Sequence, residues 1–363
     1  MRTGGRGAKG AVMVDVARRV GVSQKTVSRV INGAPHVRPE LRARVLAVAA
    51  EMGYRPNVAA RALVTQRTHV IGVVAMGTSL FGPASRVFSL EHAARERGYE
   101  LALTSLPDMS LKHMRTAIHG LLGRGCEGIV LEVPNKVVDI DDALLGGVPV
   151  ATSVGPIPHV SRQTVITSDQ TEAGRLATQH LLDLGHETVW HIGGPEDWHA
   201  ARERREGWAA TLEAAKRPQP EVLHGDWSAK SGYLLGLQLA KRRDVTAVFT
   251  ANDHQAMGLM RALTEANRSI PRDVSIVGFD DVPEAEFQIV PLTTVRTDDA
   301  AISHRVLSAL VALIEGGEPG SEVVEMSREL IVRSSTGEPA PRTRAGSMSP
   351  NTAARAPRES IHH

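Results

Sequence analysis

From His69 onward, short apolar runs alternate with amphipathic helical faces, and no other feature of the 363 residues limits the fold as tightly. The runs fall at 69–75, 99–105, 128–133, 148–154, 188–194, 245–251 and 274–280; helical faces lie at 84–97, 171–184, 200–215, 254–266 and 299–315. That succession predicts parallel sheets with helices packed on their faces. One sheet would need too many strands, so two are expected. Ligands of such sheets bind beyond the carboxyl ends of the strands, where loops converge.

The first 68 residues do not share this pattern. Residues 11–53 carry helical periodicity without strand-like alternation, until Tyr54-Arg55-Pro56-Asn57 interrupts it. Charge divides at the same place. Residues 1–68 hold 13 Lys and Arg against the three acids Asp15, Glu40 and Glu51, a net +10 in a chain whose total is +2. Residues 338–363 add another +2, which leaves −10 on 69–337. A basic module on an acidic body points to a module that meets a polyanion and a body that does not. The alternative is a solvated basic N-terminus with no such partner.

Ala17, Gly21 and Val27 have the spacing of a helix-turn-helix: a small residue for close contact, a glycine for the turn, and a valine between the helices. Val16, Val20, Val22 and Val30 complete the apolar side. Ser23 is placed to cap a second helix from Gln24 to about Ile31, and Asn32-Gly33 ends it. Gln24, Lys25, Ser28 and Arg29 then face away from the apolar side, with groups that hydrogen-bond base edges and phosphates in a major groove. A third helix, Pro39 to Met52, is expected to bury Leu41, Val45, Leu46, Val48 and Ala49. A three-helix mini-domain with a merely basic surface is the competing reading.

Pro56 suits the first position of a helix. Yet Pro56 to Val64 is too short to be stable alone, since isolated helices below about 12–15 residues are marginal in water. A helix of this kind forms when DNA and a second chain hold it. Leu63 is its apolar wedge, of the type that unstacks a base step from the minor groove; otherwise Leu63 packs on the body.

In the body, the loops that follow the strands are Thr78–Pro83, Gly193–Ala201, Gly225–Ser228, Asn252–Asp253 and Asp280–Asp281. Phe81, Trp198 and Trp227 offer apolar platforms there, and Asp253, Asp280 and Arg204 offer charged partners for vicinal hydroxyls. The chain has only 5 Phe, 4 Trp and 3 Tyr, so three rings in such loops are notable, and with the charged partners they suit a sugar. Trp198 and Trp227 could instead pack the lobes together.

Other classes fare worse. The 15 histidines form no HExxH, and GxSxG, GxxxxGK[ST] and post-strand GxGxxG are missing, so catalysis is not expected. One cysteine, Cys126, rules out an internal disulfide and a Cys-cluster metal site. No cofactor or metal is expected. No window reaches the roughly 18 uninterrupted apolar residues of a membrane helix, and the first thirty residues lack a signal-peptide apolar core. A cytoplasmic protein is expected.

The segments DVARRVGVSQKTVSRVINGAPHV (15–37), GYRPNVAARAL (53–63), GDWSAKSGY (225–233), ANDHQAMGLMRAL (251–263) and VGFDDVPEAEFQIVPLTTVR (277–296), in this order and spacing, carry a resemblance to the lactose-repressor (LacI/GalR) family of bacterial transcription regulators. It runs from about Val12 to Ser335. The resemblance implies an all-α helix-turn-helix domain, followed by an α/β body of two periplasmic-binding-protein-like lobes with parallel sheets. It also implies a homodimer on a near-palindromic operator, and a small effector between the lobes, here a sugar. The divisions it implies are a basic arm at 1–10, a helix-turn-helix at 11–55, a hinge helix and linker at 56–68, the two-lobed body at 69–337 and a disordered tail at 338–363. Lobe 1 is about 69–167 plus 298–322, and lobe 2 about 168–297 plus 323–335.

Position by position, Gln24, Lys25 and Arg29 match base-reading residues, and Ser23, Thr26, Ser28, Asn32 and His36 match positioning contacts. Asn57, Ala60 and Leu63 match the minor-groove hinge. Phe81 and Pro83, Arg204, Trp227, Asn252 or Asp253, and Asp280 are the effector contacts the resemblance implies, and Trp198 joins them from its place in a loop after a strand. Two departures stand out. Val12 occupies a position where members commonly carry a capping Thr, so that contact is either lost or supplied by the arm Arg2 to Lys9. Thr297 and Asp299 stand where the family's namesake has an amide and an aromatic ring, which removes a ring from the wall and adds a carboxylate. The expected function is sugar-switched repression of sugar-utilisation genes. A solute-binding protein, or a regulator controlled by a phosphoprotein instead of a sugar, is the alternative.

Overall fold

The computed structural model describes residues 11–31, 33–55, 62–63, 65–137, 139–324 and 328–340. The arm, Asn32, Asn57, Ala60 and the tail from Pro341 lie outside the described residues.

Two six-stranded sheets form the body. The first takes β1 (Val70–Met76), β2 (Glu100–Leu106), β3 (Gly128–Glu132), β4 (Val150–Thr152), β5 (Gln163–Ser168) and β11 (Gly320–Val324), ordered β11-β5-β4-β3-β1-β2 and parallel throughout. The second takes β6 (Trp190–Gly193), β7 (Leu223–His224), β8 (Ala247–Thr250), β9 (Ser275–Phe279), β10 (Thr293–Thr297) and β12 (Arg328–Ile331), ordered β12-β10-β9-β8-β6-β7. Only its edge strand β12 runs antiparallel to its neighbour. The near-continuous apolar runs are the inner strands: β3, β8 and β9 are buried along their whole length. Strands covered on both faces have no polar side to offer, which is why these runs do not alternate.

Each sheet has an apolar cluster on either face. In the first, Ile118 and Leu121 of the helix Leu111–Gly123 pack on one side, and Leu90, Val306 and Leu310 of the helices Phe81–Glu96 and Asp299–Ile314 on the other. In the second, helices Ala229–Ala240 and Asp253–Glu265 cover one side, and Thr171–Asp183 and His199–Ala214 the other. Those helix pairs touch backbone to backbone. A Cβ on Gly207 would lie 1.9 Å from the Thr171 carbonyl, and one on Gly258 1.9 Å from the Ala229 carbonyl.

The chain crosses between sheets three times: after Ser168, after Thr297 and after Val324. The last crossing lies two residues past the lobe boundary expected at 322, because β11 keeps its register with β5 to Val324↔Ser168. Residues up to Ala340 are described, and Gly337 is tied to Ser275 and His186 by hydrogen bonds.

The N-terminal module is α1 (Met13–Val20), α2 (Gln24–Ile31) and α3 (Pro39–Glu51). Val16, Ala17, Val20, Val27, Val30, Val45 and Ala49 make its core. Gly21, at φ 77°, ends α1 by returning its N–H to the Ala17 carbonyl. Leu46 departs from expectation: it is 47% exposed. The seam of α3 is already filled by Leu41, Val45, Val48 and Ala49, and the residue after Val45 turns roughly 100° away from it. Val12 offers no hydroxyl, and the Asp15 carboxylate accepts its N–H instead, at 3.1 Å.

Among the described residues no helix is long and apolar enough to cross a membrane, and no group of three His, Cys, Asp or Glu is placed to hold a metal ion.

Candidate functional site

Two regions gather the side chains expected to meet DNA and an effector. On the head, Ser23 Oγ accepts the Thr26 N–H at 3.1 Å and fixes the start of α2. Val27 and Val30 point inward, so Gln24, Lys25 and Arg29 stand exposed on the opposite side, with Ser28 and Thr26 half-buried beside them. Arg29 donates to the Pro35 carbonyl at 3.3 Å, and His36, exposed, holds φ 62° in the turn after α2. No acidic residue lies in the first turn of α2. Leu63 is 84% exposed and does not pack on the body.

The second region is a cleft between the sheets, open to solvent at its mouth. Its apolar wall is Leu80, Pro83, Trp198, Trp227 and Phe279. Trp198 and Trp227 meet edge to face, with centroids 5.5 Å apart at 62°. Gly194 makes room for Trp227, since a Cβ there would lie 2.4 Å from the ring. The indole N–H of Trp227 is buried without a hydrogen-bond partner.

The polar wall comes from both lobes. Arg204 donates from Nε to Gln170 Oε1 at 3.2 Å and from a terminal nitrogen to the Ala251 carbonyl at 2.5 Å, while its guanidinium carbon stands 3.3 Å over the Phe279 ring. Burial lowers its pKa to about 10, with Asp280 opposing the shift, so it stays charged at neutral pH. Burial pushes Asp280 well above the carboxylate range against the pull of Arg204, and burial raises Asp299 in the same way against Arg86. Across the cleft, Arg86 donates to Glu132 Oε2 at 2.9 Å and to Ser153 Oγ at 3.0 Å. Burial disfavours the Arg86 charge, but Glu132 and Asp299 outweigh it and raise its pKa. Asn252 caps the helix Asp253–Glu265 through the Gln255 N–H and donates to the Trp227 carbonyl at 3.0 Å. It thereby holds the tryptophan loop against the strand end.

Backbone strain collects here. Trp227 (φ 72°), Asp280 (φ 108°) and Asp281 (φ 51°) occupy the left-handed region that side-chain-bearing residues avoid. Asp281 turns away from the cleft to Arg296 and Arg333, at 2.6 and 2.8 Å, which leaves Asp280 facing it.

Of the residues expected to contact an effector, Pro83, Trp198, Arg204, Trp227, Asn252 and Asp280 line the cleft. Asp253 and Phe81 do not, and both expectations are corrected. Asp253 is fully buried; its oxygens accept from the Thr294 hydroxyl at 2.6 Å and the Val282 N–H at 2.9 Å. Phe81 packs instead on the apolar cluster of the second sheet that contains Val282 and Ala285. Thr297 and Asp299, noted as departures, do line the cleft. Arg86, Glu132, Ser153, Gln170 and Glu203 also line it and were not singled out. Glu132, a charge closing an apolar strand run, could have been found; Arg86, on a helix with no distinguishing pattern, could not. His191 is a core residue: Nδ1 pairs with the Phe249 carbonyl at 3.0 Å, the ring stacks on Phe249 and Trp208, and burial lowers its pKa to about 3.

Residues 12–57 match the family described as bacterial regulatory proteins, lacI family, and residues 178–336 match a periplasmic binding protein-like domain. The lactose operon repressor of Escherichia coli strain K12 is 31% identical over 96% of this chain and 94% of its own length. A crystal structure of the lac repressor dimer bound to operator and the anti-inducer ONPF superposes with a TM-score of 0.77 at 30% identity, covering 91% of this chain and all of that one. The complex of the transcriptional regulator CelR with cellobiose gives 0.63 at 30% identity, over 90% and 99% of the two chains.

Proposed function

This chain belongs to the lacI family of bacterial regulatory proteins, and we propose that it is an operator-binding repressor released by a sugar held in the cleft. The observation that carries the reading is the cleft itself: two tryptophans for a sugar face and Arg204 with Asp280 for its hydroxyls, placed between two lobes of one chain. The lac repressor dimer on operator and the CelR–cellobiose complex support it.

On DNA, Gln24, Lys25 and Arg29 read bases, while Ser23, Thr26, Ser28, Asn32 and His36 fix the module on phosphates or nearby bases. Asn57, Ala60 and Leu63 belong to a hinge that enters the minor groove. The working unit is a homodimer. Phe287, 81% exposed, and the fully exposed Ile289 are apolar side chains on the second lobe that a second copy would cover. Sugar binding changes the angle between the lobes and separates the two hinges; a coupling of about 1–3 kcal/mol suffices.

A thermal-shift screen of mono- and disaccharides, run on wild type and Trp227→Ala, tests the cleft. A neutral sugar should raise the melting temperature of wild type and leave the variant unmoved. An equal shift in both would place sugar binding elsewhere.

A further inference from the structure

Residues 67–69 join the linker to the first strand, and one carboxylate grips all three. Glu127 Oε1 accepts the Thr68 N–H at 2.5 Å and the His69 N–H at 2.9 Å, and Oε2 accepts Arg67 Nε at 2.8 Å. Arg67 also reaches the Tyr99 hydroxyl at 2.6 Å, and the Thr68 hydroxyl reaches the Gly125 carbonyl at 2.6 Å. Gln66 and His69 both sit at φ 55°, where such residues seldom rest unless their surroundings hold them. Thr65 Oγ1 spans Gln66 by accepting the Arg67 N–H at 3.3 Å, and the Glu127 bonds to consecutive amides hold the Thr68–His69 side of the bend.

Glu127 immediately precedes β3. That strand is buried from end to end, paired with β1 on one edge and β4 on the other, and it closes at Glu132. Glu132 is the partner of Arg86 in the cleft. At about 3.3 Å per residue, roughly 17 Å of one strand separates the two carboxylates. β1 runs alongside, from Val70 next to the linker to Met76 on the cleft wall. A close-packed strand hydrogen-bonded on both edges moves with little internal give.

We infer that Glu127 is a positioning residue that fixes the end of the linker at 67–69, and that β3 makes its grip depend on the Arg86–Glu132 pair in the cleft. The inference rests on the sugar-switched reading above. A sugar hydroxyl that competes for Glu132 frees it from Arg86. β3 shifts, and the donors at 67–69 lose their common acceptor.

Hydrogen–deuterium exchange on the full chain, resolved to single amides and run without DNA or sugar, tests this. In wild type the Thr68 and His69 amides should be protected. Glu127→Gln should speed their exchange more than 10-fold. Arg86→Ala and Glu132→Gln, altered only at the far end of β3, should speed the same two amides several-fold while leaving the β9 amides at wild-type rates. Wild-type exchange at Thr68 and His69 in both cleft variants would overturn the coupling, and so would acceleration that extends equally through β9. Wild-type protection in Glu127→Gln would overturn the clamp. On a duplex selected by the wild-type chain from a random library, Glu127→Gln should bind at least 10-fold more weakly, and wild-type affinity would count against the clamp. If no duplex is selected, the repressor reading fails while the exchange rates still decide the clamp.

Discussion

Asp253 shows how a single residue can look like a ligand contact and act as a strut. It follows a strand in sequence, where acids often meet ligands, but as the first residue of its helix it turns inward to Thr294 and Val282. A Cβ on Gly278 would lie 2.1 Å from its carboxylate. Burial raises its pKa to about 7, with the Thr294 and Val282 hydrogen bonds opposing the shift. Between the ordinary Asp value of 3.8 and that pH, the folded chain holds a proton that the unfolded chain has released. Its contribution to stability therefore falls as pH rises, by at most about 1.4 kcal/mol per pH unit. Denaturant unfolding from pH 4 to 7 should show a flatter profile for Asp253→Asn than for wild type; parallel profiles would mean the carboxyl does not titrate there. Arg204, Trp227 and Asp280 were legible because each lies in or near a loop that follows a strand. Arg86 was not, since its partner Glu132 lies 46 residues away and the ion pair exists only in the fold.

At the scale of elements, the alternation of runs and helical faces was enough to expect two parallel sheets, because strands buried on both faces must be apolar throughout. What periodicity could not supply was the antiparallel edge strand β12 and the third crossing, which depend on pairing across the chain. The head was legible to the level of its turn and cap, though not in the exposure of Leu46. Its second helix leads to a direct expectation. Arg29→Ala should relax base preference at one operator position, costing about 1–3 kcal/mol against the preferred base; a uniform loss across all bases would reassign Arg29 to phosphate. Leu63 is 84% exposed. Leu63→Ala should reduce DNA bending, measured by energy transfer between labelled duplex ends, and lower affinity while sugar binding is kept. Unchanged bending would remove the wedge.

For the whole molecule, the near-zero net charge conceals a +10 head and a −10 body. Two heads brought to one operator would concentrate positive charge on the DNA while the bodies resist adhering to it. Operator affinity should therefore fall steeply with salt, whereas sugar affinity should not. Whether one chain joins these two properties is the decisive question. The most direct measurement is the equilibrium affinity of the full-length protein for its selected duplex, titrated with the sugar that stabilises wild type in the thermal screen, with Trp227→Ala alongside. The expected result is an affinity at least 10-fold weaker at saturating sugar for wild type, and no change for the variant. The same operator affinity with and without that sugar would contradict it.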